Sequence, residues 1–348
     1  MEFYHKQHKY YCGIDLHART MYVCILDQDG KALVHRNMRA SGESLLKVLE
    51  PYREDVCVGV ECTFSWYWIA DLCDRENIPF VLGHALYLKA IHGGKSKNDK
   101  IDSKKLAVIL RGGMFPTAYV YPAAMRSTRD LLRRRMYLMH KRSELLVHIE
   151  NTNSQYNLAP FGKKLTYKSN RSGVAERFED PSVHKSVAVD LHLLDFYDRL
   201  LNDLELFILK NARVHDPQSL CLLQTTPGIG KILSLVMLYE IHDIDRFPTV
   251  GDFISYCRLV KPDRESGGKK SPSKNSKIGN AHLKWAFSEA AVLFLRGNDP
   301  GKEIHKRRVS KHGKAKALSI LAQKIARSVY FMLKRKEPFN MNLLLAQA

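Results

Sequence analysis

Tyr10-Tyr11-Cys12-Gly13-Ile14-Asp15 is a short apolar run that stops at a carboxylate. Val56-Cys57-Val58-Gly59-Val60-Glu61 repeats that pattern. Apolar runs of this length, too short for helices, read as buried strands. Between them, Met21 to Leu26 is a further run. The turn signal Asp27-Gln28-Asp29-Gly30 follows, and Ala32 to His35 can return as a hairpin partner. Ser41 has the chemistry of an N-cap, with Glu43 in the first turn of a helix to about Leu49. Beyond Glu61 the pattern predicts a helix over roughly Trp66 to Glu76 and a buried strand over Pro79 to Leu82. The lysine-rich stretch Lys95 to Lys100 then leads into a helix that reaches about Leu110. Strand, hairpin, helix, strand and helix in this order predict an α/β domain, a mixed sheet flanked by helices. In open α/β sheets, sites form beyond the strand ends, which is where both carboxylates stand.

The rest of the chain has a helical period. Leu131, Leu132, Met136, Leu138, Met139, Leu145, Leu146 and Ile149 predict a long helix from Arg126 to about Asn153. A loop rich in Lys, Ser and Gly spans Ala159 to Pro181, and a second long helix covers about Val187 to Val214. Two such helices with a loop between them suggest an antiparallel arm, a common carrier of dimer contacts. The last third reads as helical and basic. Helices are predicted over Ile232 to Ile241, Phe247 to Leu259, Asn280 to Leu295 and Lys314 to Leu333, with a polar, flexible segment from Lys261 to Gly279. The organisation expected is 1–124, 125–215 and 216–348.

Composition narrows the partner. Lys and Arg number 55 against 36 Asp and Glu, a formal charge of +19, in a chain that is 45% hydrophobic and so able to build a core. An excess of that size points to a polyanion, most commonly nucleic acid. No apolar run is long enough for a membrane span, and Met1 to Tyr11 has no apolar segment of a secretory signal. The seven cysteines form no CxxC pair and several sit inside apolar runs, the pattern of reduced, buried thiols in a cytoplasmic protein.

Four carboxylates carry the candidate chemistry. Asp15 and Glu61 end strands; Asp99 and Asp102 are three apart at a helix start and share a face. Each alone is an ordinary turn or cap residue, but together they can converge on Mg²⁺, which takes oxygen ligands. Paired ions activate an attacking oxygen and stabilise the leaving oxygen of a phosphodiester. Lys95, Lys97 and Lys100 beside them would neutralise phosphates. In Thr226-Pro227-Gly228-Ile229-Gly230-Lys231, Gly228 and Gly230 allow close backbone approach. The amides of the next helix start, with Lys231, can hold a DNA phosphate as in a helix-hairpin-helix turn. Arg264, Lys269, Lys270, Lys274 and Lys277 surround Ser266 in the polar segment, and Lys306, Arg307, Arg308 and Lys311 form a further basic cluster. On composition alone Ser266 is a loop serine; the cations around it would stabilise charge if it attacked a phosphate.

Taken in order, Gly13-Ile14-Asp15, Val60-Glu61, Asp99-Lys100-Ile101-Asp102, Thr226-Pro227-Gly228-Ile229-Gly230 and Glu265-Ser266-Gly267 with Ser276-Lys277-Ile278-Gly279-Asn280 resemble the DEDD transposases of the IS110 insertion-sequence family, relatives of the Piv DNA invertases. The resemblance runs over nearly the whole chain. It implies an N-terminal RuvC-like, ribonuclease-H-like domain in which Asp15, Glu61, Asp99 and Asp102 bind Mg²⁺, a coiled-coil arm, and a mainly α-helical C-terminal transposase domain. It also implies that Ser266 is a nucleophile forming a phosphoserine link to DNA. The partners implied are target and donor DNA, a noncoding bridge RNA that pairs with both, and further copies of the chain, dimers joining into a tetramer. The location implied is the prokaryotic cytoplasm, at the nucleoid. The Arg-Gly pair that often follows the Ser-Gly step is replaced here by Lys269 to Ser273. Two rival readings stand beside this one: an invertase or Holliday-junction nuclease working without a guide or a serine adduct, and a basic nucleic-acid-binding protein with structural carboxylates.

Overall fold

The computed structural model describes residues 2–92, 98–260, 263–266, 269–272 and 278–346. Two compact units emerge, Met1–Ala124 and Met125–Ala348.

The first unit is a mixed α/β fold. After the short β1 (Phe3–Tyr4) come β2 (Tyr10–Leu16), β3 (Thr20–Leu26) and β4 (Ala32–Arg39), then α1 (Gly42–Leu49), β5 (Val56–Glu61), α2 (Tyr67–Arg75), β6 (Phe80–Gly83), α3 (Ala85–His92), α4 (Asp99–Arg111) and β7 (Phe115–Pro116). The main sheet has the order β4-β3-β2-β5-β6. The hairpin strands β2, β3 and β4 are antiparallel neighbours, whereas β2, β5 and β6 run parallel. Ser41 caps α1 by accepting a hydrogen bond from the Ser44 amide. Strand alternation divides the side chains between two faces. Cys12, Ile14 and Leu16 of β2, Met21, Val23 and Ile25 of β3, and Val56, Val58 and Val60 of β5 fill one core with α1 and α2. Tyr11 and Cys57 point the other way, into a core with Leu106, Ile109 and Leu110 of α4 and Phe115. Cys57 and Cys73 are buried thiols, and burial pushes both up to about 12, so they behave as small apolar groups.

The second unit is helical. It contains α5 (Ala123–Gln155, whose first two residues belong to the first unit), α6 (Pro181–Asn211), α7 (Pro217–Gln224), α8 (Lys231–Ile241) and α9 (Val250–Tyr256). The strands β8 (Asp263–Ser266) and β9 (Lys269–Pro272) follow, and then α10 (Ala281–Phe294), α11 (Asp299–His312), α12 (Lys314–Arg335) and α13 (Met341–Ala346). Its core is built mainly from α8, α9, α10 and α12. The helices α5 and α6 run antiparallel, as the rungs between them show: Arg135 meets Glu205 at 2.6 Å, Arg142 meets Asp198 at 2.5 Å and His148 meets Asp190 at 2.5 Å. As one residue number rises the other falls. The expected loop between them is indeed free of long elements, but it is not a loose tether. Leu165, Val174, Ala175 and Phe178 are buried with Ile149 of α5 and Val187 and Leu194 of α6. Arg171 is locked between Asp195 and Asp198 at 2.5 and 2.7 Å. The pair is thus an antiparallel helical hairpin whose far end is filled by its own loop.

Two local differences from the sequence reading have plain causes. The helix α11 has weak apolar periodicity. Its start is nevertheless marked by Asn298, whose side chain accepts from the Gly301 amide, and by Pro300 in the first turn. The polar segment after α9 contains a two-stranded hairpin, β8 against β9, with Ser266 opposite Lys269 and Glu265 opposite Lys270. Strands made of charged residues carry no hydrophobic alternation to announce them.

Candidate metal centre and nucleic-acid surfaces

The carboxylates are placed by strand parity and one close approach. Ile14 is paired with Val60 in the parallel β2–β5 register, so Asp15 and Glu61 are the next residues on adjacent strands, at their C-terminal ends. Their neighbours Ile14 and Val60 enter the α1–α2 core. Asp15 and Glu61 therefore face the opposite side of the sheet, the side that α4 covers. Gly13 sets how closely α4 lies on β2: a Cβ there would come within 2.3 Å of the Ala107 amide nitrogen and 2.5 Å of the Ser103 carbonyl. Two residues along the strand from Gly13 lies Asp15; one turn back along the helix from Ser103 lies Asp99. These steps are about 6.6 and 6 Å, which brings the two acids together.

The helix start itself is fixed. Asn98 caps α4 by accepting from the Lys100 amide at 2.9 Å, and Asp99 and Asp102 occupy the first turn, where the helix dipole favours negative charge. His35 on β4 contacts the Lys100 carbonyl at 2.8 Å and ties this turn to the sheet.

Three ligand atoms, from Asp15, His17 and Asp99, lie within 4.8 Å of one another. The His17 Nε2 stands 3.6 Å from Asp15 Oδ2 and 3.3 Å from Asp99 Oδ2. Glu61 sits alongside by register, but it and Asp102 stand outside that group. Asp102 is instead 3.6 Å from Lys105 Nζ. The structure thus joins Asp15 to Asp99, lays Glu61 beside Asp15 and holds Asp102 one turn away. His17 was not among the residues singled out from sequence. The signal was present, because a residue two beyond Asp15 keeps its side of the strand.

The other predicted residues divide as follows. Pro227 and Gly228 make a tight turn closed by the Ile229 amide on the Thr226 carbonyl at 3.0 Å. Gly228 has φ +85°, and a Cβ would lie 2.5 Å from the Phe294 amide nitrogen on α10. Its glycine is accounted for by turn geometry and helix contact. Gly230 is different: it precedes α8 with no side-chain cap, its Cβ position is open, and it and Lys231 are exposed. On α11, Lys306, Arg307 and Lys311 are exposed and Arg308 is half-buried; Arg307 pairs with Glu303 at 3.3 Å. Lys100 is exposed at the start of α4. Ser266 ends β8 on the turn side of its hairpin, Arg264 lies on the same strand, and Lys269 and Lys270 open β9. Lys95, Lys97, Lys274 and Lys277 lie outside the described residues. The C-terminal foot of this hairpin segment is pinned. The Asn280 amide donates to the Tyr256 carbonyl at 2.6 Å, Arg258 Nε donates to the Ile278 carbonyl at 3.1 Å, and Gly279 has φ +96°.

Comparison with known proteins gives these features a context. Residues 12–157 match a transposase family of DEDD type named for IS110, and residues 221–306 match the family described as Transposase IS116/IS110/IS902 family. The first match contains all four carboxylates; the second contains Ser266 and ends at Lys306, the first cation of the α11 cluster. The chain is also similar to the transposase for insertion sequence element IS1111A of Coxiella burnetii (strain RSA 493 / Nine Mile phase I). That similarity is 24% identity over 346 residues, covering 94% of this chain and 90% of that one. Strand-end carboxylates under a helix start, in a strongly basic chain, define a DEDD-type enzyme that acts on DNA. More particularly, the chain belongs to the IS110 family of insertion-sequence transposases, enzymes that cleave and rejoin DNA. Among the described residues no helix is long and apolar enough to cross a membrane.

Proposed function

We propose that this transposase moves its insertion sequence by Mg²⁺-dependent strand cleavage and exchange through a phosphoserine intermediate, guided by a bridge RNA. The observation that carries the reading is the convergence of Asp15 and Asp99 at the C-terminal end of parallel strands, with Glu61 in register beside Asp15. The donor set fits a divalent cation, because two carboxylate oxygens and an imidazole nitrogen lie within 4.8 Å of one another, a small contraction away from one coordination sphere. Asp15, Glu61, Asp99 and Asp102 would hold the ions, in a ribonuclease-H-like arrangement. A bound divalent ion supplies charge stabilisation at the scissile phosphate. The uncapped, exposed start of α8 at Gly230 and Lys231, and the basic face of α11, bind the phosphodiester backbone without reading sequence.

Ser266 has the remaining role. Its hydroxyl oxygen bonds to phosphorus as the bond from phosphorus to the 3′-oxygen breaks. The departing oxygen takes up a proton as the serine loses its own. The product is a 5′-phosphoserine ester and a free 3′-hydroxyl. A 3′-hydroxyl from the partner strand then attacks that ester, restoring a phosphodiester and returning the serine hydroxyl. Bond count is conserved, so no nucleotide is consumed. Placement of Ser266 at the end of β8, opposite Lys269 and with Lys270 following, suits approach to a phosphate backbone.

Denaturation-resistant protein–DNA adducts on a plasmid carrying the element test this reading. Ser266→Ala is expected to abolish them, and Asp15→Ala to abolish Mg²⁺-dependent breakage. Unchanged recombination by Ser266→Ala would refute the nucleophile. RNA copurified from the native locus is expected to be one discrete species mapping beside the gene; a smear of cellular RNA would remove the guide from the proposal.

The hairpin of α5 and α6 supports self-association. Val187, Leu194, Leu201 and Ile208 form the buried seam of α6. A different face carries Val189, Leu193, Phe196, Leu200 and Phe207, all exposed, at steps of four, three, four and seven. That is the spacing of a helix–helix seam, and a second copy of the chain would cover it as a coiled coil. Changing Phe196 and Leu200 together to Glu is expected to halve the particle mass measured by light scattering. An unchanged mass would assign the contact elsewhere.

A further inference from the structure

We infer that His17 is a metal ligand together with Asp15 and Asp99, and that this mixed oxygen and nitrogen set makes the site prefer Mn²⁺ over Mg²⁺. The inference rests on the reading that the carboxylates hold a divalent ion, and it adds a ligand and a selectivity to that reading.

The geometry argues for the imidazole as a built part of the site. His17 follows β2 directly, and its amide donates to the Thr20 carbonyl at 2.9 Å, closing the β2–β3 turn. The backbone is therefore held where the chain reverses. Residue 17 continues the side of the strand that Asp15 occupies, and from there Nε2 reaches 3.6 Å from Asp15 Oδ2 and 3.3 Å from Asp99 Oδ2. The imidazole is half exposed, so packing does not dictate its position. What it meets is one acid from the sheet and one from the helix. Their three ligand atoms span no more than 4.8 Å. An ion with bonds of about 2.1 Å sets its ligands roughly 3 to 4.2 Å apart, so only a small contraction completes the sphere.

The donor types decide the preference. Mg²⁺ is a hard ion that favours oxygen throughout and gives up its waters reluctantly. Imidazole nitrogen binds transition ions better, and Mn²⁺ accepts carboxylates and imidazole alike. With two carboxylates and one imidazole, Mn²⁺ gains from a ligand that Mg²⁺ gains little from. A solely electrostatic role for His17, a cation separating two acids, would give no nitrogen coordination and no such preference.

Electron spin echo envelope modulation of Mn²⁺ on the full-length protein measures the ligand directly, without reference to activity. Wild type is expected to show coupling from one coordinated ¹⁴N. His17→Ala should lose that coupling while still binding Mn²⁺ through the carboxylates. In calorimetric titrations its Mn²⁺ affinity should fall about tenfold or more and its Mg²⁺ affinity by far less. His17→Gln, closer in size, guards against a local folding defect and should show the same loss. Absence of ¹⁴N coupling in a wild-type protein whose Mn²⁺ binding depends on Asp15 would overturn the role of His17 and leave the carboxylate site standing. So would coupling that persists in His17→Ala. Mn²⁺ binding that Asp15→Ala leaves untouched would instead overturn the underlying metal centre.

Discussion

Gly13→Ala is expected to reduce strand cleavage at least about 100-fold while the second unit stays folded, although it adds a single methyl group. The added carbon would start 2.3 Å from the Ala107 amide nitrogen, 2.5 Å from the Ser103 carbonyl and 2.9 Å from the Ala107 Cα. All three are helix backbone, so no side chain can swing aside. The helix α4 must lift from β2 by about 1 Å, and a misplacement of that size at a reacting centre costs about 100-fold in rate. It carries Asp99, and with it the joint position of Asp99, Asp15 and His17. Overpacking also lowers the unit's stability by about 1–3 kcal/mol. Gly162→Ala is the control, because a Cβ there meets nothing within 4 Å. Plasmid nicking with Mg²⁺ or Mn²⁺, read beside a thermal melt, separates the effects. Cleavage within a few-fold of wild type in Gly13→Ala would mean that the α4–β2 distance does not set the site.

That dependence explains which parts of the site were legible in the sequence. The apolar runs that stop at Asp15 and Glu61 show where two strands end, and the parallel register then sets the acids side by side. The pairing of Asp99 with Asp102 was legible only as a shared helix face. Which of them meets Asp15 depends on how α4 crosses the sheet, and that is fixed by the Gly13 contact, ninety residues away in sequence. The same reasoning accounts for His17. Strand parity marks it, but only the tertiary position of Asp99 gives it a second acid to meet. In the second unit, long periodic helices were readable from their spacing. The loop after α5 was readable as a loop but its packing was not, because Leu165, Val174 and Phe178 follow no period and are buried by the helices flanking them. Two-residue strands such as β1 and β7 are likewise invisible, having no alternation to display.

Glu240 shows the same limit with a larger energetic consequence. In sequence it is one acid near the end of an apolar helix; in the structure it is 3% exposed and holds three elements together. Arg133 of α5 donates to both of its oxygens at 2.6 and 3.0 Å, Arg129 donates at 3.0 Å, and Asn280, which caps α10, donates at 2.8 Å. Burial pushes the Glu240 carboxyl up, but the Arg133 hydrogen bond and the charges of Arg129 and Arg133 outweigh that and hold it at about 2. Glu240→Gln keeps the shape and removes the charge. It leaves two guanidinium groups, one of them 8% exposed, facing each other across the site of the lost carboxylate. Breaking a buried pair in this way costs about 3–5 kcal/mol, because the remaining charge stays desolvated. The sign of the pH dependence follows from the depressed value. Above about 4.5, the usual value of a Glu, the ionised group contributes its full stability; that contribution falls away as the pH drops from there through about 2. Wild-type protein should therefore lose melting temperature steeply across that interval, whereas Glu240→Gln should start lower at pH 7 and show a flatter acid limb. A Glu240→Gln melt that matches wild type at pH 7 would show that solvent or rearranged partners compensate the charge. The hub would then be dispensable, and the second unit would owe its stability to the apolar faces of α8, α10 and α12 alone.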